Sequence, residues 1–226
     1  MPIHSAAAGC DVTPYDVDID VRKCLAYAAG LGETADVYFD DARPGGIVAP
    51  PAMVVSLEWP ATRDIRTMPE FGATPEERRR GVHAAQDTRF HRLIRPGERV
   101  RVTGRIVAIK RIKPGTLTMT RIDLSTLAGE PVATTYTTGI TRGVEVEGKD
   151  CVIEEAPEWR DDTVMGDWTE TVIPISRELP HVYTECADIW NPIHTERAAA
   201  LAAGLPDIIL HGTCTWALAV REIVAD

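Results

Sequence analysis

The sequence predicts an α+β fold in which a curved antiparallel sheet wraps one long helix, followed by a shorter second unit laid out in the same order. Three observations predict it. Val100, Val102, Gly104, Ile106 and Ala108 alternate with polar residues, and Leu117, Met119, Arg121 and Asp123 alternate again beyond the turn Lys113-Pro114-Gly115. The apolar segment Ala52 to Trp59 precedes these strands and has the composition of a buried helix. A second helix, loop and apolar helix then close the chain, repeating the order of the first unit.

Taken in order, Val17, Val21, Leu25 and Ala28 or Ala29 recur at three- and four-residue intervals, which predicts an amphipathic helix from Asp16 to Glu33. The Gly/Pro-rich stretch Asp40 to Pro51 breaks it and leads into the buried helix. Four strands follow: Gln86 to Leu93, the two alternating segments, and Val132 to Thr141, with a turn at Ala128-Gly129-Glu130. Four strands suffice to curve around one helix, so residues 1–142 form the first module. Acidic, Gly-containing residues 143–162 read as a linker, and residues 163–226 as the second module. In that module a short strand is expected at Thr169 to Ile175, a helix from a cap near Ser176 to Ala187, a loop from Asp188 to His194, and a helix from Thr195 to Ala203. A last apolar helix runs from Gly212 to Val224. Sliding the chain by 156 residues lays Tyr27–Tyr38 on Tyr183–His194, with Tyr27 and Tyr183 the identical pair.

Bulk properties narrow the function. With 34 acidic against 24 basic residues, the net charge of -10 disfavours non-specific binding to nucleic acid or a membrane surface. No apolar run approaches the roughly 20 residues of a membrane-spanning helix, and the first residues lack a signal-peptide pattern, so a cytoplasmic protein is expected. Five cysteines, none closely paired, read as free thiols, and no metal site is expected.

The chemistry concentrates in Trp190-Asn-Pro-Ile-His194 and, after a short helix, Gly204-Leu-Pro-Asp-Ile-Ile-Leu-His-Gly212. A histidine near its working pKa is suited to move a proton, and a glycine at a helix N-terminus offers an unpaired N–H to an oxyanion. In residue type, order and spacing this stretch resembles the hydratase signature of MaoC-like proteins and R-specific enoyl-CoA hydratases, and Phe90 to Glu98, with Arg95-Pro96-Gly97, is similar to a strand and turn of the same family.

The resemblance implies a hot-dog fold in a double-hot-dog arrangement: a complete but degenerate N-terminal module and a C-terminal module lacking its last strands. It implies reversible hydration of a trans-2-enoyl thioester, an acyl-CoA or acyl-carrier ester, to an R-3-hydroxyacyl product without a further cofactor. His194, Asn191 and an acid are then catalytic, Gly212 is the oxyanion donor, and His211 and Ile193 flank the substrate. An ungapped match puts Ile189 where the family carries its aspartate, so Asp188, one residue earlier, is expected to take that place. Gly45 to Ala49 are expected to leave room for the acyl chain, and Trp190 and Trp216 to pack. A partner in a homodimer or hetero-oligomer would complete the second sheet. A thioesterase and a non-catalytic acyl-binding subunit are the alternatives.

Overall fold

The computed structural model describes residues 2–158 and 170–224. In chain order the elements are β1 (Ile3–His4), β2 (Asp11–Ile19), α1 (Val21–Leu31), α2 (Asp36–Phe39), α3 (Val54–Ile65), α4 (Pro75–Arg78), β3 (Gly81–Phe90), β4 (Glu98–Ile112), β5 (Gly115–Thr126) and β6 (Pro131–Arg142). Then come β7 (Val146–Glu147), β8 (Cys151–Val152), α5 (Leu179–Ala187), α6 (Arg197–Ala202) and α7 (Gly212–Val224). The main sheet is antiparallel, ordered β2-β4-β5-β6-β3, with β8 also paired to β4. This is the mixed architecture expected, with α3 packed on the concave side.

Strand β4 shows why the sheet holds α3. Val100, Val102, Gly104 and Ile106 are buried in alternation, and their shared face meets the helix. At Gly104 an added Cβ would lie 3.2 Å from Val12 Cγ2 and 3.7 Å from Ala61 Cβ, so the small residue lets α3 approach closely. Beyond a register shift between Ile106 and Ala108, the alternation gives way to consecutive burial of Val107, Ala108 and Ile109, where β8 pairs with β4 along its edge. Pro60 lies within α3 and cannot donate to the helical ladder. Tyr15 uses the loosened turn: its hydroxyl donates to Leu57 O at 2.8 Å and accepts from Ala61 N at 3.4 Å.

Several expectations are corrected. Residues Asp16 to Ile19 are strand, paired with Glu98 to Arg101 of β4, and the helix begins only at Val21. Asp20 caps it by accepting from Lys23 N, and Gly32 ends it in the left-handed region. The third strand starts at Gly81, five residues earlier than expected. Residues 143–158 are not a free linker: β7 pairs with β1, β8 pairs with β4, and Val144 and Val146 are buried. Residues 170–175 form no strand, and Thr169 lies outside the described residues, as do residues 159–162 of the expected linker. Gly45 and Gly46 sit in a turn at positive φ, and Ile47, Val48 and Ala49 are buried in core clusters instead of lining a chain-sized space. Trp190 is exposed, while Trp216 packs against the core.

The two units share one core. Tyr183, Ala187, Ile189, Cys214, Ala217 and Leu218 belong to the same buried cluster as α3 and the sheet. Residues matched by the 156-residue offset touch one another. The Tyr27 and Tyr183 hydroxyls are 3.1 Å apart with their rings edge to face, and a Cβ on Gly30 would lie 2.5 Å from Cys186 Cβ. Such self-matching contacts are what an approximate two-fold between α1 and α5 produces.

Candidate active site

The second half of the chain builds a cleft around His194. Helix α5 ends at Ala187, and Asp188 caps it at φ 55, a left-handed conformation unusual outside glycine. That cap turns the chain so that Ile189 enters the core, 3% exposed, while Asp188 faces solvent. Asn191 opens the next turn, its Oδ1 accepting from Ile193 N at 3.5 Å, and Pro192–His194 follow as a short 3-10 helix that presents the imidazole.

His194 is 8% exposed, and its Nδ1 lies 2.8 Å from Ile209 O. A carbonyl oxygen only accepts, so Nδ1 carries the hydrogen and Nε2 is the unprotonated nitrogen. The ring stacks on His211, with centroids 3.7 Å apart and planes at 24°. His211 is fully buried; its Nε2 donates toward Ile189 O at 3.3 Å and lies 3.1 Å from Thr184 Oγ1. Burial pushes the His194 pKa down to about 4, with the Arg66 charge adding to the fall and the Ile209 carbonyl opposing it. Burial, then the charge of His194, takes His211 down to about 3. Burial disfavours the charged form of each ring and holds both pKa values well below 7, so both rings are neutral at pH 7. His194 is thereby a proton acceptor in waiting.

The cleft is walled by Asn191, His194, Leu210 to Thr213, Ile189, the end of α3 through Arg66, and the start of β3 from Gly81 to His83. Gly212 opens α7, whose first N–H groups have no partner in the preceding turn. Its lack of a side chain is required: an added Cβ would sit 2.9 Å from both Cβ and Nδ1 of His83 and 3.2 Å from His83 O. The structure therefore brings His194, Asn191, His211 and Gly212 to one cleft. It does not bring Asp188, whose exposed carboxylate lies 4.0 Å from Lys23 Nζ, nor Ile193, which is 1% exposed and points into the packed interior. No carboxylate lines this cleft among the described residues.

Sequence reasoning missed Arg66, His83 and Trp59, all contributed by the first unit. The register shift between His83 and Ala85 breaks the period-two pattern that would have extended the strand back to His83. Arg66 had no local signal, since it reaches the cleft only because α3 ends beside β3.

Comparison with known proteins bears on this geometry. Residues 6–135 match the FAS1-like dehydratase domain region, and residues 169–226 match the MaoC-like domain. The first match spans more than half of the chain, so the chain belongs to the FAS1-like dehydratase domain family, with a MaoC-like domain match in its second unit. A MaoC-like dehydratase from Phytophthora capsici superimposes with a TM-score of 0.78 at 19% identity, over 97% of this chain and 76% of that one. HtdX of Mycobacterium tuberculosis superimposes with a TM-score of 0.69 at 20% identity, over 94% of this chain and 77% of that one. At these identities the likeness is one of fold, and the fold is the hot-dog of the MaoC-like proteins. In sequence, a UPF0336 protein of Saccharopolyspora erythraea is 27% identical over 66% of this chain and 99% of its own length. The enoyl-CoA hydratase ChsH3 of Mycobacterium tuberculosis is 34% identical over 34% of this chain and 23% of its own length. Among the described residues no helix is long and apolar enough to cross a membrane.

Proposed function

We propose that this MaoC-like protein reversibly hydrates a trans-2-enoyl thioester, carried on coenzyme A or an acyl carrier, to the R-3-hydroxyacyl product. The observation that carries the reading is the pairing, in one cleft, of a neutral histidine with a bare Nε2 and a glycine that begins a helix. The thioester oxygen approaches the Gly212 N–H, which holds the negative charge that grows there as water adds. His194 Nε2 takes one proton from the water as its oxygen bonds to the β-carbon, and returns that proton to the α-carbon. The Ile209 carbonyl fixes the tautomer that makes this possible. Asn191 holds the turn that presents His194, and His211 stacks beneath its ring. No redox group is called for, since the reaction adds water without net electron transfer.

The arrangement differs from the family expectation in its acid, because Ile189 stands at the aspartate's position and Asp188 is turned outward. That difference favours one other reading, an acyl-binding subunit without turnover. On the double-hot-dog view α7 is the second central helix, and its exposed residues Thr215, Ala219 and Ile223 would receive a further sheet from a partner in a homodimer or hetero-oligomer.

The test is to follow loss of enoyl absorbance with a panel of trans-2-enoyl-CoA esters. Wild type should turn over, and His194→Ala should lose activity by ~10²–10⁴-fold, the usual share of a positioned acid–base group. A wild type inert to the whole panel would replace hydration with the binding role, and a His194→Ala variant that keeps full activity would remove His194 from the reaction.

A further inference from the structure

A second cavity adjoins the cleft and shares with it the wall made by Trp59, Arg66, Gly81 to His83, Ile189 and Thr213. It runs between α3 and the inner face of β3, β5 and β6. Its lining is mostly apolar but is interrupted by polar side chains. Beside Val55 and Phe71 stand Glu58, Gln86, Thr118 and Thr137.

Glu58 is the most constrained of these groups. It is 2% exposed, and its Oε2 accepts from Gln86 Nε2 at 3.2 Å, while Gln86 Oε1 lies 3.1 Å from His83 Nε2. Its Oε1 is buried and has no hydrogen-bond partner among the described residues, and the same holds for Thr118 Oγ1. Buried polar atoms without partners are uncommon, and two on the wall of one cavity next to a reaction cleft call for a ligand or ordered water in that space. Water can satisfy them while the cavity is empty of ligand. A plain hydrocarbon chain entering the cavity would displace that water and strand both atoms, whereas a chain bearing an oxygen would replace it.

We propose that this cavity selects acyl chains carrying a ketone or hydroxyl oxygen over hydrocarbon chains of equal length, with the Glu58 carboxyl and the Thr118 hydroxyl holding that oxygen. The inference rests on the reading that the reacting end of an acyl thioester lies at His194. Because Gln86 donates to Oε2, the proton of a neutral Glu58 resides on Oε1, which makes Oε1 a donor to the chain oxygen. Burial holds this carboxyl neutral by pushing its pKa up to about 8; the Thr135 and Gln86 side chains oppose the rise and the Asp123 charge adds to it. The groups around it are Gln86 and, through it, His83 from β3, Thr135 from β6, Thr118 and Asp123 from β5, and Arg66 farther along α3. Above about pH 8 the carboxylate can no longer donate, so the preference should fade as pH rises through that value.

The experiment measures binding of saturated probes by calorimetry: octanoyl-CoA against oxo-octanoyl-CoA esters with the ketone at successive carbons. At pH 7 at least one ketone ester should bind tenfold or more tightly than octanoyl-CoA. Glu58→Met should bring that ratio near one, and Thr118→Val should lower it. Should Glu58→Met not fold, the wild-type ratio at pH 7 against pH 9 supplies the same reading. Equal or tighter binding of octanoyl-CoA across the series overturns the proposal. Saturated probes separate the two failures: a ketone preference without turnover of any enoyl ester refutes hydration alone, and turnover without a ketone preference refutes this inference alone.

Discussion

Replacing Gly212 by alanine tests the oxyanion assignment most directly. The new methyl would meet His83 Cβ and Nδ1 at 2.9 Å and the His83 carbonyl oxygen at 3.2 Å, where ordinary contact begins at 3.4 Å. The wall cannot simply recede, because His83 is paired with Gly139 in the β3–β6 ladder and its ring is held by Gln86. The start of α7 must therefore move by ~0.5 Å, which stretches a hydrogen bond of about 3.0 Å to the edge of what counts as one. Losing one oxyanion donor typically costs ~10²–10³-fold in turnover. The steric cost to the fold should be ~1–3 kcal/mol, as for other overpacked sites. Steady-state hydration kinetics and thermal unfolding of the same preparation measure both. A variant that turns over within twofold of wild type would refute the placement of the thioester oxygen at Gly212, whatever its melting temperature.

Two further outcomes follow from the geometry. Tyr27 OH donates to Ala52 O at 2.7 Å, so the Tyr183 hydroxyl must supply the proton of the 3.1 Å contact between them. Tyr27→Phe should cost ~1–3 kcal/mol by stranding a buried carbonyl and a hydroxyl, and the double change with Tyr183→Phe should cost less than the sum of the singles. Urea unfolding reads this cycle, and strict additivity would show that the contact between the repeated segments carries no energy. Asp188→Gly should stabilise the fold by ~0.5–1 kcal/mol, since φ 55 suits glycine better and the exposed pair with Lys23 contributes little. Its hydration rate should match wild type; a large loss would put the Asp188 carboxylate back in the reaction.

Much of the site was legible because its signals are local. Asn191-Pro192 and His194 sit within one turn, and Gly212 begins the helix that the apolar spacing of Trp216, Leu218 and Ala219 predicts. The question of Ile189 against Asp188 was not, because it turns on one φ angle at the end of α5: a left-handed cap sends adjacent residues to opposite environments, and several residue types tolerate it there. The stretch from Asp16 to Ile19 misled for a related reason. Val17, Val21 and Leu25 fit a helical period, while Tyr15, Val17 and Ile19 fit a strand period equally well, and pairing with β4 decided between them.

The sequence by itself determined the alternating strands, the apolar segment before them, the order of the second unit and the placing of Asn191, His194 and Gly212 within one segment. These are properties of neighbours in the chain, set by side-chain period and helix-end chemistry. Tertiary structure alone decided that Arg66, His83 and Trp59 from the first unit complete the cleft, that Asp188 leaves it, and that Glu58 lines the adjoining cavity with one oxygen unpaired. Those placements depend on where α3 ends against β3 and how α5 packs on α1. Such long-range packing joins residues more than a hundred positions apart, and no local period encodes it.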